Sequence, residues 1–214
     1  VDFLPVSPKG HYNAWQSRVR GLPEFGGELP VSTLAEEIDT PGEGQIKAFV
    51  TIAGNPVLSS PNGSRLERAL PGLDYMVSID MYINETTKHA NIILPPTSSL
   101  ERDHYGLVFH ALAIHNATKY SEAIFEPAAD AKHDWQIFLE LSERLLKKRK
   151  SKDYGARSMV LLGRHTGPAR ILDIGLRTGP YGSKLNPFGG GLTLDKLRKS
   201  KTGLINCLSI LDYA

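Results

Sequence analysis

Ile46-Lys47-Ala48-Phe49-Val50-Thr51-Ile52, Tyr75-Met76-Val77-Ser78-Ile79 and Asn91-Ile92-Ile93-Leu94 are short runs rich in β-branched and aromatic residues. Each is cut off sharply: by Gly54-Asn55-Pro56, by Asp80 and by Pro95-Pro96. Such runs between turn residues read as strands. Asn62 can cap a helix through Leu70, with Leu66, Ala69 and Leu70 as its inner face. Asn84 or Thr86 can begin a shorter helix ending near Ala90. Strand, helix, strand, helix, strand at this spacing predicts right-handed βαβ units. The fold class expected is α/β: a mostly parallel, Rossmann-like sheet flanked by helices, with an irregular helical C-terminal extension.

On the N-terminal side, residues 1–31 are rich in Pro and Gly and read as an extended lead-in. Thr33 and Glu36 have capping-box spacing before a short helix that Thr40-Pro41-Gly42 ends. On the C-terminal side, Gly106 to Ile114 reads as a further strand. Residues 132–148 read as a helix with Trp135, Phe138, Leu139, Leu145 and Leu146 on one stripe and Asp130 as its cap. Helices are expected over 156–163, 169–176 and 193–199, with loop over 179–191. The segmentation expected is 1–44 lead-in and short helix, 45–150 α/β domain, and 151–214 basic extension.

The chain has 214 residues, 41% of them hydrophobic and 22% charged, which suits a packed core and argues against wholesale disorder. No run of about 18 apolar residues offers a membrane span. The first residues show no basic and apolar leader, so a cytoplasmic protein is expected. The single cysteine, Cys207, excludes an internal disulfide and a four-thiolate cluster within this chain. It reads as a small core residue rather than a nucleophile. Residues 151–214 carry a net charge of +6 and residues 1–150 carry −4. The run Lys147-Lys148-Arg149-Lys150 reads as a solvated helix end rather than a nucleic-acid site, because no aromatic residues interleave it.

Several chemistries lack their motifs. There is no GxGxxG after a strand, no GxxxxGK[ST], no GxSxG and no HExxH. The strand ends remain. Gly54 lets backbone approach a ligand, and Asn55 offers a donor and an acceptor. Asp80 is a natural acceptor for the N1–H and 2-amino group of guanine, a donor pair that adenine lacks. Asp80 can equally serve only to cap the short helix that follows, and the local sequence leaves both readings open.

Ala53-Gly54-Asn55-Pro56-Val57, Ser78-Ile79-Asp80, Glu85-Thr86-Thr87-Lys88-His89-Ala90-Asn91-Ile92-Ile93-Leu94-Pro95, Glu101-Arg102 and Lys132-His133-Asp134-Trp135-Gln136 occur in that order. The series resembles the molybdopterin oxidoreductase family, the group with dimethyl sulfoxide reductase, formate dehydrogenase and nitrate reductase. It covers roughly residues 45–146, and the later Leu176-Arg177-Thr178-Gly179-Pro180-Tyr181-Gly182 also resembles a family stretch. Asn91 departs from the Asp that many members carry there.

The resemblance implies a bis(molybdopterin guanine dinucleotide) cofactor carrying molybdenum or tungsten. It implies that Gly54 and Asn55 lie against that cofactor, that Ile79 and Asp80 hold guanine, that Arg102 sits near ribose or phosphate, and that Asp134 makes a further contact. It implies no catalytic or metal-ligating residue in this chain, because the redox chemistry belongs to metal and pterin. The family's cysteine-rich iron–sulfur segment, its metal-ligand segment and its C-terminal barrel have no counterpart in this sequence. The chain is therefore expected to be an excised central portion. Its partners would be the remaining domains of a parent enzyme, formate dehydrogenase-like or related, and a small redox substrate. The alternative is a free-standing α/β module that binds a guanine nucleotide or a protein, without a redox role.

Overall fold

The structure, a computed structural model, describes residues 12–150, 152–184, 186 and 189–207. The chain divides into two compact units, 1–95 and 96–214. Helix and strand are mixed throughout: one three-stranded parallel sheet is accompanied by two antiparallel sheets.

In the first unit, β3 (Ala48–Ile52), β4 (Tyr75–Ile79) and β5 (Ile92–Ile93) form the parallel sheet in that order. Register is fixed from Ala48 opposite Tyr75 to Ile52 opposite Ile79, so β3 and β4 end level with each other. The crossover between them holds α2 (Pro56–Ser59) and α3 (Gly63–Ala69). A core of Ala35, Ile38, Val57, Leu66, Ala69, Leu70 and Met76 packs α1 (Leu34–Asp39) and α3 against the sheet. Val50 and Ile52, on alternate positions of β3, stay exposed. Between β3 and β4 the buried Thr51 hydroxyl donates to Ser78 Oγ at 2.8 Å.

The expected structureless lead-in is corrected over residues 12–30. β1 (Tyr12–Gln16) and β2 (Pro23–Phe25) pair antiparallel. Glu24, the middle residue of β2, is fully buried, and its carboxylate accepts the Ala14 and Gly27 N–H groups at 3.1 and 2.5 Å. Arg18 and Arg20 then pair with Glu37 and Glu36 of α1 at 3.3 and 2.5 Å. Those two glutamates are themselves buried, so the arginines supply the counter-charge their burial demands.

In the second unit, β6 (His104–Tyr105), β7 (Ala117–Ser121) and β8 (Leu204–Asn206) form an antiparallel sheet in that order. The strand expected over 106–114 is a short helix, α4 (Leu107–Ala111). A brief apolar run reads the same for either state, and here the return strand is β7 instead. α5 (Asp134–Lys148) starts at His133 and not at Asp130, because the His133 N–H donates to the Gln136 side chain at 2.8 Å. Ile137 is its buried residue, and Leu145, expected on the inner stripe, is exposed. Lys147 and Lys148 close its last turn, where cations suit the helix dipole. The run Tyr154–Thr178, α6, holds the two helices expected at 156–163 and 169–176, separated at Gly167, whose backbone is not helical (φ 63°, ψ 171°), before Pro168. α7 (Leu194–Lys199) is capped by Thr193, whose hydroxyl accepts the Lys196 N–H at 3.2 Å. The second core gathers Tyr120, Leu176, Leu192, Leu194, Leu197 and Cys207. No helix among the described residues is long and apolar enough to cross a membrane.

Candidate functional site

Level ends of β3 and β4 bring two loops to one end of the parallel sheet, residues 53–55 and 80–87. The Ala53 N–H donates to the Ile79 carbonyl at 2.9 Å, which extends the ladder one step beyond the strands. Ala53, not Gly54, adopts the left-handed conformation, with φ 46°. A Cβ added to Gly54 would meet only Ile52 O at 3.5 Å, an ordinary contact. The chain's own packing therefore does not require glycine at that position.

Asn55 is half-buried and its side-chain amide is engaged at both ends. Nδ2 donates to Glu85 Oε2 at 2.6 Å, and Oδ1 accepts from the Thr86 hydroxyl at 2.7 Å. The Asn55 amide holds the Glu85 carboxyl below the usual carboxylate range. Ile79 is fully buried, and its carbonyl accepts the Ala53 N–H. Asp80 Oδ1 accepts the Tyr82 N–H at 3.0 Å, which closes a tight turn. Oδ2 has no partner among the described residues. Met81, Tyr82 and Ile83 follow, exposed by 46%, 70% and 80%, an unusual apolar run beside a carboxylate.

Arg102 and Asp134 lie in the second unit, where they form an ion pair with each other at the first turn of α5. Next to them, Glu101 accepts the Ser98 N–H at 2.8 Å, a bond that holds its carboxyl low. Thr97 and His133 meet at 2.6 Å between Oγ1 and Nδ1. The residues that sequence reasoning passed over are Glu85, Thr86 and Tyr82. The first two lie inside the Glu85-Thr86-Thr87 run, which offers Thr86 only as a helix start and gives neither a place at the site without their distant partner Asn55. Cys207 is buried, and burial raises its thiol pKa, which suits a core residue. An open cleft of about 410 Å³ in the second unit is lined by Glu140, Glu143, Arg144, Lys147 and Arg164. Both of its carboxylates already pair with its arginines, Glu140 with Arg144 and Glu143 with Arg164.

The chain has known relatives. The family model for molybdopterin oxidoreductase matches residues 6–144, and the chain belongs to that family. Membership implies a molybdopterin cofactor. The assimilatory nitrate reductase catalytic subunit of Bacillus subtilis (strain 168) is 36% identical over 124 residues, 57% of this chain and 17% of that protein. The thiosulfate reductase molybdopterin-containing subunit of Salmonella typhimurium is 34% identical over 100 residues, covering 47% and 13%. The F420-dependent formate dehydrogenase subunit alpha of Methanocaldococcus jannaschii is 31% identical over 113 residues, covering 53% and 16%. The matched stretch is thus about a sixth of these relatives' length. Among solved structures, acetylene hydratase from Pelobacter acetylenicus aligns with a TM-score of 0.48 and 25% identity, over 54% of this chain and 16% of that one.

Proposed function

We propose that this chain is a cofactor-binding portion of a molybdopterin oxidoreductase. In this reading its Rossmann-like β3–β5 unit grips one guanine dinucleotide arm of a bis(molybdopterin guanine dinucleotide) cofactor. The observation that carries it is the position of Asp80. It stands at the carboxyl end of a central parallel strand, where such sheets receive nucleotides. One oxygen is pinned by the Tyr82 N–H, while the other keeps its acceptor sites open. A carboxylate so placed accepts the two N–H donors of a guanine edge and finds no such pair on adenine. Gly54 supports close approach of a ligand, since nothing in the chain's own packing asks for glycine there. Ile79, buried at the strand end, sets the position from which Asp80 holds guanine, and Asn55 borders the same end. In the second unit, Arg102 is assigned to ribose or phosphate, where it supplies positive charge, and Asp134 to a further cofactor contact.

The working segment under this reading is 45–150, followed by a basic extension over 151–214. The bound group supplies the redox chemistry through molybdenum or tungsten and pterin, while this chain binds and orients. An iron–sulfur cluster and the remaining domains belong to the parent protein, and the parent reaction is a two-electron conversion of a small substrate, formate dehydrogenase-like.

The test is calorimetric titration of the chain with GMP and with AMP. GMP should bind with clear preference, and Asp80→Ala should weaken GMP by about 10–100-fold, the equivalent of a 1.5–3 kcal/mol bond to a charged group. Equal binding of both nucleotides, or an unchanged GMP affinity in Asp80→Ala, rejects the assignment.

A further inference from the structure

Asn55 is engaged at both ends of its side-chain amide: one N–H donates to Glu85, and the oxygen accepts from Thr86. Thr86 is fully buried, and its hydroxyl also accepts the Val57 N–H of α2 at 3.0 Å. One hydroxyl therefore joins the loop after β3, the first turn of α2 and the loop after β4. From Thr86 the bonding continues toward Asp80. Thr87, also fully buried, donates its hydroxyl to the Tyr82 carbonyl at 2.8 Å and accepts the Asn84 N–H at 2.8 Å. Asn84 Oδ1 accepts the N–H groups of Thr86 and Thr87 at 3.0 and 2.9 Å. Tyr82 then closes the path by donating its N–H to Asp80. Residues 80–87 are thus a fixed loop, although Tyr82 and Ile83 at its tip are well exposed.

We propose that Asn55 and Thr86 are positioning residues for guanine recognition: a hydrogen-bonded clasp across the two strand-end loops, anchored on buried Thr86, sets the Asp80 carboxylate, and hence base selectivity, without touching the base. The proposal rests on the guanine reading above and extends it to two residues that act at one remove. Carboxylate geometry governs selectivity because two parallel hydrogen bonds to one edge demand a fixed carboxylate plane. A loop that swings still presents a negative charge, but not in register with the donor pair. The strained φ of Ala53, two residues before Asn55, is the kind of conformation that persists only where its surroundings hold it.

Thr86→Val keeps the shape and removes the hydroxyl, whereas Thr86→Ser keeps the hydroxyl. In GMP and AMP titrations of the chain, Thr86→Val and Asn55→Ala should each lower GMP affinity about tenfold and shrink the GMP-over-AMP preference toward one. Thr86→Ser should stay within about twofold of the parent. Asp80→Ala combined with Thr86→Val should lose no more than Asp80→Ala alone, because the clasp acts only through that carboxylate. Should Thr86→Val not fold, Asn55→Ala carries the same test, with hydrogen exchange at the Tyr82 amide reporting whether the loop has loosened. Unchanged GMP selectivity in Asn55→Ala or in folded Thr86→Val, with Asp80→Ala still defective, overturns the clasp and leaves the guanine reading standing. An Asp80→Ala protein that binds GMP normally removes the guanine reading, and the clasp with it.

Discussion

The Tyr120 hydroxyl donates a hydrogen bond to the Asp103 carboxylate, and the Arg198 guanidinium lies over the Tyr120 ring, 5.1 Å from its centre. Arg198 also reaches Tyr120 Oη at 3.1 Å and Asp103 Oδ2 at 3.3 Å, while the Ala123 N–H donates to Oδ1 at 3.0 Å. Three elements are joined here: the segment before β6, strand β7 and helix α7. Tyr120 is a core residue, so its hydroxyl would be costly without a partner. Tyr120→Phe is expected to destabilise the second unit by about 1.5–3 kcal/mol, the range for a bond to a charged group. Urea denaturation followed by a probe in that unit measures it.

The same pair sets two limbs of a stability–pH profile. Burial, reinforced by Asp103, pushes the Tyr120 hydroxyl up to about 12. Its folded pKa lies above the ordinary value near 10, so its contribution is complete below about pH 10 and fades as pH rises toward 12. Burial alone would raise Asp103, but the bonds from Tyr120, Ala123 and Arg198 outweigh it and hold the carboxyl low. That contribution is complete above the ordinary carboxylate range and is lost as pH falls through the depressed folded value. Asp103→Asn should flatten the acid limb in thermal melts at graded pH, and Tyr120→Phe should remove the alkaline one.

His110 ties α4 to β7 in its neutral form. Its Nε2 accepts the Lys119 N–H at 3.2 Å, so the proton sits on Nδ1, which faces the Thr118 hydroxyl at 3.3 Å. Burial, and then the charge of His104, lowers its pKa, and the Tyr105 ring packs edge-on at 4.7 Å. Charging the ring would aim a second N–H at the Lys119 N–H. The anchorage should be complete above the ordinary histidine pKa of about 6.5 and be lost as pH falls through the lower folded value. Hydrogen exchange at pH 7.5 and 5 should show faster exchange of the Leu107–Ala111 amides at the lower pH, corrected for intrinsic rates. Equal protection at both values contradicts the tie.

The sequence read some parts of this architecture well because local chemistry decides them. Tyr75–Ile79 is a strand with Asp80 just beyond it, as the run of apolar residues and its polar stop predict. The helix after Asn62 keeps Leu66 and Ala69 as its inner face. What failed depended on distant partners. The lead-in acquires strands because Arg18 and Arg20 find buried glutamates on α1, and no local pattern announces that. Leu107-Val108-Phe109-His110-Ala111 is too short for periodicity to distinguish helix from strand. At the site, Asn55 was legible as a polar strand-end residue. That Glu85 and Thr86, thirty and thirty-one residues onward, would engage its amide was not.

Gly63 and Gly72 make a matched comparison in the first unit. A Cβ on Gly63 would lie 1.9 Å from the Val57 carbonyl oxygen, which is backbone and cannot step aside. A Cβ on Gly72 meets nothing within 4 Å. Gly63→Ala should cost about 3 kcal/mol or more by forcing α2 and α3 apart, at the upper end of overpacking penalties. Gly72→Ala should stay within about 0.5 kcal/mol of the parent. Chemical denaturation of the two variants side by side decides the point, and similar stabilities would mean that the α2–α3 corner yields more readily than its geometry indicates.

Thr51 and Ser78 test how far the parallel sheet depends on a buried polar pair. Their hydroxyls meet at 2.8 Å across β3 and β4, with Ser78 fully buried and Thr51 nearly so. Removing one hydroxyl leaves the other desolvated, so Thr51→Val and Ser78→Ala should each cost about 1–3 kcal/mol. Removing both leaves no orphan, and valine fits a strand at least as well as threonine. The double variant should therefore be more stable than the sum of the single losses implies, by roughly 1 kcal/mol. A double-mutant cycle in urea gives this coupling directly. Strict additivity would mean that the two hydroxyls are satisfied independently, and the bond between the strands would then contribute nothing of its own to holding β3 and β4 level.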